Sequence, residues 1–365
     1  MINKLVVENL RHRPVRTLLS VVAIGLQVTM VLTLVGLSKG MLDEQARRAR
    51  GVGADIIIRP PSGSVINFSG NMPAKLIPAI VEKEPHVAAA TGVLLQGTDM
   101  FNYVTGVDLA TFDKLNGGFR FVEGGPFKGP DEVMVDSYYA QEHKLHVGEN
   151  VTVLNRPWRL SGIYETGMLA RQVFPLDRLQ DLTANTGKIT IIYVKLDDPA
   201  RTDEVIADLK QQKLKGFEIR SMQEYAALYS VNSVPMLKEF IWVVIGVGVL
   251  VGFLVVFLSM YTAVLERTRE IGVLKALGAS PAYVLNILLR ETALLAVAGA
   301  ILGIALSYAT RFAIINVIHG SLIQAIVYDW WPITAVLALV GAMLGALYPG
   351  LKAARQDAIE ALSYE

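Results

Sequence analysis

Five histidines, thirty-three carboxylates and no cysteine are the material from which this 365-residue chain could build a reactive site. None falls into a spacing that chemistry requires. His143 and His146 (HKLH) lack the HExxH arrangement that turns two imidazoles of one helix face onto a zinc ion, so they read as solvated or packed histidines. No GxSxG nucleophile elbow occurs, and the long apolar stretches hold no paired carboxylates for proton relay. A phosphate-cradling GxxxxGK[ST] loop is also missing, since Gly36–Gly40 (GLSKG) and Gly124–Pro130 (GGPFKGP) have the wrong spacing. Any ATP-driven step must then be supplied by another polypeptide, and a membrane-anchored enzyme is the weakest of the functional classes.

What remains is suited to mechanical work. Glu266–Ser280, ERTREIGVLKALGAS, is a charged strip that follows directly on the uncharged run Phe240–Met260. Ile271, Leu274 and Leu277 fall three apart, which predicts one apolar helix face, with Glu270, Lys275 and the arginines elsewhere. Gly278 is a natural terminator, and Ser280 with Pro281 supplies the cap and first position of a following helix. A short amphipathic helix between two membrane spans either transmits force to a partner or rests among lipid head groups, and both readings stay open on physics alone.

The elements that position this strip are set by hydropathy. Hydrophobic residues make up 52% of the chain and charged ones 18%, an average that conceals two populations. Four stretches free of Asp, Glu, Lys and Arg are long enough for a bilayer core: 17–38, 240–261, 292–310 and 330–351. The first is too long for a signal-peptide core and lacks a small-x-small cleavage site, so it reads as an uncleaved anchor. Lys and Arg concentrate in 1–16, in 262–291 and in 352–365, whereas 311–329 carries only Arg311. Both termini and the charged strip are therefore expected on the cytoplasmic side, with 39–239 outside.

Residues 39–239 read as a folded α+β domain. Ala54–Arg59 predicts a strand ended by Pro60-Pro61, Ser62–Asn71 a loop, and Ala74–Lys83 a short helix. Glu132–Val135, Asn150–Asn155 and Trp158–Tyr164 predict strands, the last two joined in a hairpin across Arg156-Pro157. Strand Ile189–Leu196, a helix capped by Asp198 with Val205, Ile206 and Leu209 on one face, and strand Phe217–Arg220 form one βαβ half of a ferredoxin-like (porter-like) sandwich. The tips Gly51–Asn71 and Thr98–Tyr103 are the places to expect partner contacts. With a net charge of +1 and no basic stripe interleaved with aromatics, nucleic acid is not expected as a partner.

Three spans repeat a GxxxG device, at Gly248/Gly252, Gly299/Gly303 and Gly341/Gly345, which lets helix backbones approach within a subunit or across a dimer. Gln27 predicts a polar contact between helices. Four helices enclose little space, which makes a homodimer of eight the expected working unit.

Arg267–Ser280 (RTREIGVLKALGAS) resembles the cytoplasmic signature of the MacB/FtsX-like permease family of ABC transporters. Tyr348–Glu365 resembles that family's C-terminal tail, except at Ala358 and Ser363, where the family pattern commonly has Pro and Arg. The order of one span, a large outer domain and three further spans agrees as well. The resemblance implies a multi-pass protein of a bacterial inner membrane, in the branch whose ATPase is a separate chain. It implies a homodimer bound to two ABC ATP-binding subunits, which hold the ATP and Mg. Arg267, Arg269, Glu270, Ile271, Gly272, Leu274, Lys275, Ala276, Leu277, Gly278 and Ala279 are then the ATPase-coupling residues. Work would be relayed by mechanotransmission to an envelope or hydrophobic substrate outside the membrane, with an extracytoplasmic adaptor and membrane lipid as further partners. The alternative is a non-exporting mechanotransmitter that regulates an envelope hydrolase or a sensor.

Overall fold

The computed structural model describes residues 8–9, 11–60, 72–98, 103–234, 236–316 and 323–356. The loop expected at Ser62–Asn71, most of the tip at Thr98–Tyr103, the basic residue Lys4 and the tail positions Ala358 and Ser363 lie outside the described residues. Two compact units divide the chain, one of Met1–Met41 with Val234–Glu365 and the other of Leu42–Ser233.

The first unit is helical. Four of its helices are long and apolar enough to cross a membrane: α1 (Pro14–Gly51), in which the division between the units falls, α8 (Leu237–Glu266), α10 (Pro281–Asn316) and α11 (Trp330–Arg355). Each is longer than the uncharged stretch that announces it. A charged residue ends an apolar window but not a helix, because Lys, Arg and Glu are good helix formers. Residues 39–51 accordingly continue α1.

Hydroxyl side chains tie α1 to α8 and α10. Ser20 of α1 and Ser259 of α8 share a hydrogen bond of 2.7 Å. Thr29 donates to the Gly303 carbonyl of α10 over 3.1 Å, and Thr33 meets Thr310 at 3.1 Å. Such bonds satisfy hydroxyls that hydrocarbon cannot. Large side chains on the opposite faces stay exposed, among them Val243, Val247 and Leu254 of α8 and Val297 and Ile301 of α10.

The second unit is built on β1 (Ile56–Arg59), β2 (Met72–Pro73), α2 (Leu76–Val81), β3 (Val87–Gly97), β4 (Tyr103–Val107), α3 (Leu109–Asn116), β5 (Phe121–Gly124), β6 (Glu132–Asp136) and α4 (Ser137–His143). It continues through β7 (Asn150–Val153), β8 (Arg156–Tyr164), β9 (Gln172–Pro175), α5 (Leu176–Leu182), β10 (Lys188–Ile189), β11 (Ile191–Leu196), α6 (Thr202–Asp208), β12 (Glu218–Ser221) and α7 (Met222–Ala227). The main sheet runs β12-β1-β11-β3-β4-β9-β6-β8-β5, with β7 paired to β8.

Within it, β1, β3, β11 and β12 pair antiparallel in the spatial order β12-β1-β11-β3. Taken in chain order as first to fourth, this is the 4-1-3-2 order of a ferredoxin-like βαββαβ fold, with α2 and α6 as its crossovers. The expected βαβ half is thus one of two. Asp198 caps the second crossover as expected, accepting from the Ala200 amide at 3.0 Å. Both faces of this sheet are buried, which explains why β1 reads as an unbroken IIIR: Ile56 and Ile58 pack with Val205 and Ile206, and Ile57 packs with Phe112 and Tyr225.

Strand β3 joins two lobes. Its first part pairs with β11 and its last four residues pair with β4, which begins the second lobe around Val133, Trp158, Leu160 and Phe174. Here the expected hairpin needs correction. The turn between β7 and β8 is Leu154-Asn155, both with positive φ (51° and 58°), and Arg156-Pro157 belong to β8. Pro157 is tolerated because it precedes Arg159, where pairing with β6 starts, so no ladder bond needs its missing N–H.

Candidate functional site

The charged strip folds as α9 (Thr268–Ala276), separated from α8 by one non-helical residue, Arg267 (φ −112°, ψ 15°). Thr268 ties the two helices by donating to the Val264 carbonyl at 3.1 Å. At the far end Gly278 adopts φ 95°, and the Ala279 amide closes on the Leu274 carbonyl at 3.0 Å, a glycine stop that only a residue without Cβ adopts freely. Ser280 accepts from the Tyr283 amide at 3.2 Å and starts α10 with Pro281 at its first position.

Side chains then hold α9 at both ends. Arg267 is buried; its Nη1 donates to Glu291 of α10 at 3.3 Å and its Nη2 to the Asn9 carbonyl at 3.1 Å. Arg13, just before α1, and Arg16 within it both pair with Glu266, the latter at 3.4 Å. Lys275 donates to the Ala354 carbonyl of α11 at 2.9 Å and also to the Gln356 carbonyl, where the helix leaves its last oxygens unpaired.

This geometry sorts the expected coupling residues differently from their spacing. Ile271, only 6% exposed, and Gly272 face inward, Leu274 and Ala279 are half-buried, and Leu277 is 80% exposed. The expectation of a single face bearing Ile271, Leu274 and Leu277 is corrected here. Residues three apart drift by about 60° per step on a 3.6-residue helix, and Leu277 lies beyond the last helical residue. Arg269, Glu270, Ala276 and Gly278 are exposed, and Val273, not among the expected residues, joins them at 44%. Arg267 is an internal anchor rather than a surface residue. Its partner Glu291 was also not expected; the signal for it is a lone acid at the head of the apolar run LLRETALLAVA.

The six paired glycines all face another helix of the same chain. A Cβ would stand 3.0 Å from Met30 Cε at Gly248, 2.6 Å from Ile24 Cβ at Gly299, 2.6 Å from the Gly25 carbonyl oxygen at Gly303, 3.3 Å from Val249 Cγ1 at Gly341 and 2.6 Å from the Phe253 carbonyl oxygen at Gly345. At Gly252 the Gln27 side chain lies directly across the missing Cβ.

In the second unit the expected tip residue Tyr103 turns inward and donates to Gln45 at 2.8 Å, while Gly51 packs on the Gly167 carbonyl. Near them Arg48 bonds Glu44 at 2.9 Å and Asp136 at 3.4 Å, all three buried. Burial pushes the Asp136 carboxyl up, and the Arg48 guanidinium only partly offsets this. His143 stacks on Tyr139 with ring centroids 4.1 Å apart, and no group of three metal-ligating side chains occurs among the described residues.

Residues 17–212 match the family model of the MacB-like periplasmic core domain, and residues 242–358 match that of the FtsX-like permease C-terminal. The macrolide export ATP-binding/permease protein MacB of Escherichia coli is 25% identical over 97% of this chain and 59% of its own length. The uncharacterized ABC transporter permease YknZ of Bacillus subtilis is 28% identical over 60% of this chain and 57% of its own length. The chain thus spans less than two thirds of these relatives. Among solved structures, the periplasmic region of MacB from Actinobacillus actinomycetemcomitans aligns with 49% of this chain and 94% of its own at 16% identity, with a TM-score of 0.36.

Proposed function

This chain belongs to the MacB/FtsX-like permease family, and we propose that it is the membrane-spanning part of an ATP-driven machine whose nucleotide-binding partner seats on α9. The observation that carries this is the contrast along α9. Arg267 and Lys275 tie it to α10 and α11, while Val273, Ala276 and Leu277 are left exposed beside Arg269 and Glu270. An apolar patch rimmed by charge, on a helix that cannot swing freely, suits a groove that pushes.

ATP and Mg are held by that partner, in two copies on a homodimer of this chain. The side bearing α9 is the cytoplasmic side of a bacterial inner membrane. Closure of the partners around ATP moves α9, then α8 and α10 through the Arg267–Glu291 pair, and finally the extracytoplasmic domain. The work acts on a hydrophobic or envelope substrate outside the membrane, with an adaptor as a further partner. Tight glycine packing between the helices supports transmission over a central conduit. Regulation of an envelope hydrolase or sensor by the same motion is the alternative output.

The chain has no cysteine, so a single Leu277→Cys variant gives a clean test. Co-expressed with the nucleotide-binding partner, labelled with a maleimide that carries a photoactivatable benzophenone and irradiated, it should give one cross-linked species with that partner. A Cys at Lys144 should give none. Equal cross-linking at both positions, or none at Leu277, would remove the coupling role.

A further inference from the structure

The glycines of GLSKG, Gly36 and Gly40, fit no nucleotide loop, and they lie on α1 just before the chain passes into the second unit at Leu42. Both face a non-helical segment that leads into α11. The Ala325 amide donates to the Gly36 carbonyl at 2.9 Å. A Cβ at Gly36 would stand 2.7 Å from the Ala325 carbonyl oxygen, and one at Gly40 would meet the Ile323 carbonyl head on. Side chains extend the contact: Thr33 meets Thr310 of α10 at 3.1 Å, and Lys39 lies 3.8 Å from Asp329. Tyr328 packs on Trp331 of α11 with ring centroids 5.0 Å apart, and Trp331 packs on Tyr308 of α10 at 6.2 Å. Residues 323–329 are thus held to α10 and α11 and close on the backbone of α1.

The covalent path gives this contact a use. Of the four spanning helices, α1 and α8 are joined by the chain to the second unit, whereas the end of α10 and the start of α11 are joined only to each other. Motion delivered to α10 by Arg267 and to α11 by Lys275 therefore reaches that unit only across noncovalent contacts with α1 or α8. Gly303 of α10 packs on Gly25 and Val28 of α1, about 18 Å of helix short of Gly40. Contact at that depth alone leaves the last turns of α1 free to lag behind.

We propose that residues 323–329 are a clasp that makes the last turns of α1 follow α10 and α11, with Gly36 and Gly40 as its positioning residues. For the source of the motion it rests on the coupling role of α9. Glycines on the helix bring the two backbones together with no side chain between them to absorb a displacement. The main-chain bond from Ala325 then fixes the register of the contact, which the exposed Lys39–Asp329 pair alone would hold only weakly.

Gly40→Ala tests the clasp, because alanine favours the helix while its methyl pushes the Ile323 carbonyl away. The full chain in complex with the nucleotide-binding partner is followed by hydrogen-exchange mass spectrometry, with and without a non-hydrolysable ATP analogue, and its rate of ATP hydrolysis is measured in parallel. In the wild type the analogue should change exchange across residues 42–233. In Gly40→Ala, residues 323–329 should exchange faster at rest and stimulation of ATP hydrolysis should persist, while the response of residues 42–233 is lost. Ala325→Pro, which removes the donor in a non-helical segment, should do the same and serves where Gly40→Ala fails to fold. In the Gly40→Ala background, Lys39→Cys with Asp329→Cys, bridged by a reducible bifunctional thiol reagent before the partner is added, should restore the response until reductant is supplied. A full response in a variant whose segment has opened would overturn the clasp and leave the role of α9 intact. No stimulation of hydrolysis by the wild type would instead remove the role of α9, and the clasp with it.

Discussion

The guanidinium of Arg267 and the carboxylate of Glu291 lie 3.3 Å apart with both side chains buried, and they join the single non-helical residue between α8 and α9 to the neighbouring helix α10. A helix break is ordinarily a hinge. Here its own side chain is pinned, so displacement of α9 must strain or break a buried ion pair.

Removing one partner strands the other charge. Arg267→Ala or Glu291→Ala should destabilise the first unit by about 3–5 kcal/mol, the usual range when a buried pair is broken from one side. The double variant Arg267→Met/Glu291→Leu should recover most of that loss. Thermal unfolding of the full chain in detergent reads both, and single variants as stable as wild type would show that the pair holds nothing.

The glycines give a second, independent readout of helix packing. Gly303→Ala places its methyl 2.6 Å from both the Gly25 carbonyl oxygen and Val28 Cβ, where backbone cannot yield cheaply, and should cost about 1–3 kcal/mol. Gly246 meets nothing within 4 Å, and Gly246→Ala should stabilise by up to about 1 kcal/mol through helix propensity. Opposite signs from the same chemical change separate packing from propensity; equal signs in the same melting experiment would refute the interhelical role of Gly303.

These features differ in how far the chain alone announces them. Strands β1 and β11 are dense in β-branched residues and read directly. Strand β3 (VAAATGVLLQG) does not, because Ala89 and Ala90 are chosen to fit beneath neighbours on either side of the sheet rather than for β propensity. Without β3, only one βαβ half of the 4-1-3-2 sheet is visible, and the second lobe inserted before β11 widens the gap. The Leu154-Asn155 turn carries no glycine at its positive-φ positions, so the nearby proline attracts the turn assignment instead. Glu291 sits 24 residues from Arg267, and no local pattern reports a partner that far away.

In the extracytoplasmic domain, Glu132 accepts from the Lys128 and Gly129 amides at 2.7 and 3.1 Å, and these bonds hold its carboxyl below the ordinary glutamate range. A depressed folded-state value means the ionised form stabilises the fold above the unfolded-chain value, and that contribution disappears as pH falls through the folded one. Glu132→Gln should therefore melt below wild type at neutral pH, with the difference vanishing on acidification. A gap that stays constant with pH would show that the ionised carboxylate contributes nothing.

Burial decides which α9 residues serve the partner and which serve the fold. Ile271→Asp puts a charge into a buried site and should unfold or destabilise the first unit by about 3–5 kcal/mol, whatever it does to coupling. Leu277→Asp and Val273→Asp alter exposed side chains and should leave the melting temperature of the isolated chain unchanged. If the partner's groove covers them, each should weaken the complex by about 2 kcal/mol, roughly thirtyfold, and remove stimulation of ATP hydrolysis with it. Lipid head groups would cover the same residues without any partner. In that case both variants would loosen membrane contact while stimulation stayed at the wild-type rate, so measuring stimulation and melting temperature on the same preparations separates a docking helix from one that only rests on the bilayer.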